Sequence, residues 1–172
     1  MTHPLSAIPA DKRTRVFVPL LIAALVMTFL FRFIGPAQPT IVDFELAGIV
    51  EKAQSITDAW NPTDRIRAGF SLGFDYLYMP LYSTMIALAC VMAAGVLKKK
   101  AWYSIGILLA WGLWAAALCD ATENLALFTE LLGNNVAPWP SVAQLCATIK
   151  FGLIALGLLY VSGGVVLRFV RK

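Results

Sequence analysis

Five charged side chains of this 172-residue sequence remain once its polar connections and basic ends are set aside: Arg32, Asp75, Asp120, Glu123 and Lys150. A charge at the centre of a bilayer costs at least about 2.5–3.5 kcal/mol by insertion scales, so such groups pair with one another or face water. Asp120, Glu123 and Asn124 stand at i, i+3 and i+4 and share one helix face. Asp75, Tyr78, Met79 and Tyr82 share another, which sets two phenols beside a carboxylate. Three acids against two bases leave one negative charge in excess, so one carboxyl is available to carry a proton. That is the equipment of a general acid, a proton carrier or a cation site. The expected catalytic residues are therefore Asp120, Glu123, Asp75 and Lys150, and the expected ligand-binding residues Arg32, Tyr78, Tyr82 and Asn124. On this reading Lys150 or Arg32 holds an anionic headgroup while the two tyrosines orient the substrate.

The elements that must position these groups follow from composition. The chain is 59% apolar and 14% charged, with a mean hydropathy of +0.74. Soluble domains average roughly 25% charged and 45–50% apolar residues, so a soluble domain, a disordered chain and a nucleic-acid partner are all disfavoured. Apolar runs long enough to cross a bilayer occur at about 16–34, 70–97, 101–132 and 141–170. No strand-like alternation is present, which leaves helices as the way to satisfy backbone groups in lipid. The expected fold is an all-α, four-helix transmembrane bundle forming one domain over residues 1–172, with membrane lipids as its partners.

Counting from one end of each span at 1.5 Å per residue places the five charges at similar depth. Arg32 lies at ~24 Å, Asp75 at ~33 Å, Asp120 and Glu123 at ~28 and ~33 Å, and Lys150 at ~26 Å. Lys12, Arg13 and Arg15 precede the first span, Lys98, Lys99 and Lys100 separate the second and third, and Arg168, Arg171 and Lys172 close the fourth. Asp11 is the only acid beside them. The positive-inside bias then predicts a multi-pass protein of a bacterial inner membrane, with both termini cytoplasmic and the five charges toward the outer leaflet. A cleaved secretory leader is the competing reading of residues 1–34, but the apolar run of about 19 residues exceeds the usual h-region.

Between the first two spans, Val42, Leu46, Ile49, Val50, Ala53, Ile56 and Trp60 recur at helical spacing among charged residues. They predict one amphipathic helix over about 40–60, lying on the outer face with that stripe inward. Thr40 and Asp43 have the spacing of its capping pair, Asn61-Pro62 reads as the start of the next helix, and Ser141 with Gln144 as a capping box for the last. Glycine and alanine at helical spacing in the last three spans predict close helix approach. Trp60, Trp102, Tyr103 and Trp139 read as interface anchors.

Other chemistries have little to draw on. Cys90, Cys119 and Cys146 lack C-x-x-C spacing and read as apolar fillers, with a Cys119–Cys146 bond left open, and His3 sits in a polar tail. Haem and zinc lack ligands, there is no phosphate-binding glycine loop or serine elbow, and no cofactor is expected. Asp75, Asp120 and Glu123 could offer oxygens to Mg²⁺ or Ca²⁺, but Lys150 and Arg32 oppose this. Three functions remain: a site that binds and processes a lipid or small amphiphile, a proton- or cation-coupled carrier acting as a homodimer, and an assembly partner whose charges only fix helix register.

Overall fold

The computed structural model describes residues 2–97, 100–134 and 136–170; Lys98, Lys99, Arg171 and Lys172, which carry part of the charge asymmetry, lie outside the described residues. Within them the chain is helical, with α1 at Ala10–Ile34, α2 at Ile41–Glu45, α3 at Val50–Ala59, α4 at Pro62–Val96, α5 at Lys100–Leu131 and α6 at Trp139–Val170. Helices α1, α4, α5 and α6 are long and apolar enough to cross a membrane. Helix α4 starts well before its apolar run because Asn61 accepts from the Asp64 N–H and Pro62 occupies the first turn. It continues unbroken through Pro80.

Helices α4, α5 and α6 form the packed body, and α1 leans chiefly on α4. Two apolar clusters fill the body. One, around Ile86, Cys90, Val91, Ile107 and Leu113, lies toward the chain termini. The other, around Phe44, Trp60, Leu72, Ala126 and Leu127, lies under the α1–α4 connector. Side chains such as Ile22, Leu77, Leu108, Leu118 and Leu159 point outward, an apolar surface suited to lipid rather than water. Glycines let the helices close. A Cβ at Gly164 would meet Ala93 Cβ at 2.7 Å, and one at Gly157 would meet Leu113 at 3.0 Å and Ile86 at 3.2 Å. Gly95, Gly152 and Gly163 face open space instead, so helical spacing alone overcounted the packing glycines.

The connector departs from the expected single amphipathic helix. It is two helices, α2 and α3, broken at Gly48, whose φ of +76° is a left-handed conformation that favours glycine. The Thr40–Asp43 capping box does form and starts α2. Its rotation is set by Phe44, which packs against Trp60 at 5.2 Å between ring centroids. Phe44, Glu45 and Ala47 therefore turn inward, and Val42, Leu46 and Ile49 of the expected stripe are exposed. In α3 the stripe holds, with Ala53 and Ile56 buried. Trp60 is a core residue rather than an interface anchor, its indole donating to the Pro39 carbonyl at 2.7 Å.

Two further expectations change. Helix α6 begins at Trp139, so Ser141 and Gln144 do not cap it. They donate instead to the carbonyls of Gly48 (2.9 Å) and Leu46 (3.3 Å), clamping the corner between α2 and α3. His3 is not in a solvated tail. It is buried beside Trp111 and Trp114, at 4.8 and 4.5 Å between ring centroids, and burial holds its pKa below the ordinary 6.5.

Gly48 is the residue on which this corner turns, because its positive φ coincides with a Gln144 side chain standing where a Cβ would go. Gly48→Ala is expected to cost about 1–2 kcal/mol from the backbone alone. The checks are a lower thermal midpoint in detergent and faster proteolysis between residues 35 and 60.

Candidate ligand-binding site

Three helices, α2, α5 and α6, meet at one buried cation. Lys150, on α6, donates to Asp120 Oδ1 and Glu123 Oε1 on α5, both at 2.9 Å. Its Nζ also lies 3.7 Å from Glu45 Oε2 on α2. All four side chains are buried. The i, i+3 spacing of Asp120 and Glu123 lets two carboxylates of one helix reach the same ammonium. The second oxygen of Asp120 accepts from the Tyr82 hydroxyl at 2.8 Å, which ties α4 to the same group. One turn further along α5, the Asn124 amide donates to Asp75 Oδ2 at 3.0 Å and to the Leu72 carbonyl at 3.1 Å. A charge buried this way is tolerable only because partners surround it.

Glu45 was missed as a site residue in the sequence. It sits between solvated acids on a polar connector, and nothing in its spacing separates it from Asp43 or Glu51. The break at Gly48 and the packing of Phe44 are what turn it inward. Burial pushes its carboxyl above the ordinary value of 4.5, the neighbouring charge of Asp120 adds to this, and the Lys150 ammonium opposes it. Glu130 is likewise buried, two turns along α5 from Glu123 on the same face. Its two carboxyl oxygens have no hydrogen-bond partner among the described residues.

A cavity of about 470 Å³ opens beside the cluster. Its polar end carries Asp75, Asn124, Asp120, Lys150, Glu45 and Tyr82. Its apolar walls are Leu25 and Phe31 of α1, Ile86 of α4, and Phe151, Ile154 and Leu158 of α6. The cavity thus occupies the seam between α1 and α6, with α4 as its floor. Tyr78 lines it too, its hydroxyl 2.8 Å from Thr28 Oγ1 and its ring packed on Phe31 and Tyr82. Glu123 does not line the cavity; it stands behind Asp120 as a ligand of Lys150.

Of the eight sequence-predicted site residues, the structure gathers seven and leaves one out. Asp75, Tyr78, Tyr82, Asp120, Asn124 and Lys150 line the cavity, and Glu123 joins them through Lys150. Arg32 is exposed on α1, one turn beyond Thr28, and enters no ion pair among the described residues. Counting residues fixes height along a helix but not the direction in which a side chain points. Phe31 takes the position facing α4, and the neighbouring residue is rotated about 100° away. The cysteines are free thiols, so the Cys119–Cys146 bond is not formed.

Lys150→Met leaves three buried carboxylates without their cation. Breaking a buried pair this way costs about 3–5 kcal/mol, so the thermal midpoint should fall sharply, and simultaneous Glu45→Gln should recover part of it. Glu45 also gives a pH signature. A carboxyl whose folded pKa is raised binds more protons folded than unfolded. Its contribution is most favourable below 4.5 and is lost as pH rises through the folded value. The difference in midpoint between Glu45→Gln and the parent chain should therefore grow in favour of the variant with rising pH, as read by thermal unfolding from pH 4.5 upward.

No protein-family model, curated protein or solved structure matches this chain.

Proposed function

We propose that this is a multi-pass membrane protein whose α1–α6 cleft binds a single-chain amphiphile, with its head at the ionic end and its chain along the apolar walls. The observation that carries the reading is the two-ended cavity, with ionic and hydrogen-bonding groups at one end and apolar side chains of three helices along the rest. A second cavity of about 160 Å³ continues the same seam, with Phe17 of α1, Met92 and Ala93 of α4, and Val161 and Val165 of α6. Together the two follow α4 from Asp75 to Val96, about 32 Å at helical rise, close to the thickness of the hydrocarbon core. A chain can enter sideways because α1 packs chiefly on α4 and leaves its α6 side open.

Asp75 is the carboxyl of the cavity that is not tied to Lys150, and it is the group suited to exchange a proton with a bound molecule. Acid/base processing of the ligand would run through it, with Asp120, Glu123 and Lys150 positioning the surrounding charge. The basic residues near the termini favour an orientation with both termini in the cytoplasm of a bacterial inner membrane and the ionic end toward the outer leaflet. A proton-coupled carrier, as monomer or homodimer, has less support. Between the cluster and the termini the described core is mainly Ile86, Cys90, Val91, Ile107 and Leu113, and the buried hydroxyls of Ser83 and Tyr160 are bonded to the backbone carbonyls of Pro80 and Trp102.

Leu25 and Leu158 line the cleft from opposite sides and are both largely exposed. Leu25→Trp with Leu158→Trp should close the gap while leaving helix content unchanged by circular dichroism. Native mass spectrometry of gently extracted protein should show an amphiphile on the parent chain and at least a tenfold lower occupancy on the double variant. Equal occupancy of the two proteins would overturn the assignment.

A further inference from the structure

We infer that the head of the amphiphile is a cation, an alkylammonium group received by Asp75 and Glu45 and by the aromatic wall of the cavity. This rests on the cleft reading above and adds to it the charge of the ligand. It reverses the anionic headgroup that the sequence suggests for Lys150 and Arg32.

Charge is the first reason. The cluster holds Glu45, Asp75, Asp120 and Glu123 against the single cation Lys150, since Arg32 is exposed on α1 outside it. Whichever of the four carboxyls ionise, an added cation stabilises their charged forms, whereas an added anion finds only a cation that is already paired.

Hydrogen bonding is the second reason. The donors at the polar end are already committed. Two of the three ammonium hydrogens of Lys150 go to Asp120 and Glu123, and its remaining carboxylate neighbour is Glu45 at 3.7 Å. Tyr82 donates to Asp120. Both amide hydrogens of Asn124 are spent on Asp75 and Leu72, and because both partners accept, the orientation of the amide is fixed. Among the residues that line the cavity, the buried side-chain atoms without a hydrogen-bond partner are acceptors, Asn124 Oδ1 and Glu45 Oε2, the latter approached only by Lys150 at 3.7 Å, on residues 1% and 7% exposed. A buried acceptor without a donor costs about 1–3 kcal/mol, and an ammonium head supplies donors to both. A carboxylate or phosphate head supplies none.

The wall is the third reason. Phe31, Tyr78 and Tyr82 line the cavity as a run of rings, 5.4 Å and 5.2 Å apart between successive centroids. Aromatic faces beside carboxylates are the surroundings that favour an organic ammonium, through attraction to the ring quadrupole. The walls beyond are aliphatic and suit its chain.

The test compares three probes of equal chain length, hexadecylamine, hexadecanol and hexadecanoate, on the full-length protein in a nonionic detergent, with occupancy read by native mass spectrometry. The amine should exceed the carboxylate at least tenfold. Asp75→Asn should lower amine occupancy about tenfold without changing that of the alcohol, and Asp75→Glu should restore it; circular dichroism and thermal unfolding check that each variant is folded. Preference for hexadecanoate, or an alcohol bound as well as the amine, would overturn the cationic head and leave the cleft intact. Amine binding indifferent to Asp75→Asn would also overturn it. Binding of all three that persists in the Leu25→Trp, Leu158→Trp protein, or none in the parent chain, would remove the cleft reading and the inference with it.

Discussion

The Lys150 ammonium, held at 2.9 Å by two carboxylates of α5 and approached at 3.7 Å by one of α2, is the constraint that organises the connector end of the bundle. No neighbouring cation shares the load among the described residues. The ammonium fixes the rotation of α6 about its axis, because a buried lysine pointing anywhere else would be unpaired. It fixes α5 in the same way, since Asp120 and Glu123 reach one atom only when their shared face is turned to α6. It also draws the short α2 down onto the helix ends through Glu45. The cation stands where carboxylates would otherwise gather a metal or repel one another, and it lets a strongly acidic group be buried.

The rest of the packing is compatible with that demand. Small residues let the long helices approach closely. Gly157 and Gly164 admit Leu113, Ile86 and Ala93, drawing α6 onto α5 and α4 near the termini. At the other end, Ser141 and Gln144 hold the carbonyls of the α2–α3 corner. Helix α1 takes no part in either arrangement and contributes one packed face, with Ala24 as its buried residue. That asymmetry leaves the seam in which the cavities lie.

Much of the architecture was legible because its causes are local. Apolar length predicted the four long helices, the Thr40–Asp43 and Asn61-Pro62 signals predicted two helix starts, and helical spacing placed Asp120, Glu123 and Asn124 together. The failures share one cause. Arg32, Trp60 and Ser141 were read from height, periodicity or capping-box spacing and Glu45 was passed over, and each was decided by rotation about a helix axis or by a chain reversal. Arg32 has the right height and the wrong direction. Glu45 lies in a segment whose periodicity reads as one continuous helix, and a left-handed glycine at position 48 changes its phase. Only a mid-connector glycine hinted at that.

By itself the sequence determined the number, extent and apolar character of the long helices, and how far along each helix its scarce charges stand. Those properties depend on composition and on a fixed rise per residue. Only the tertiary structure decided which charges meet, that Lys150 is consumed by its own chain rather than offered to a ligand, and that the unsatisfied groups of the cavity are acceptors. These are matters of azimuth and of hydrogen-bond inventory. They exist only once helices distant in the sequence are locked against one another.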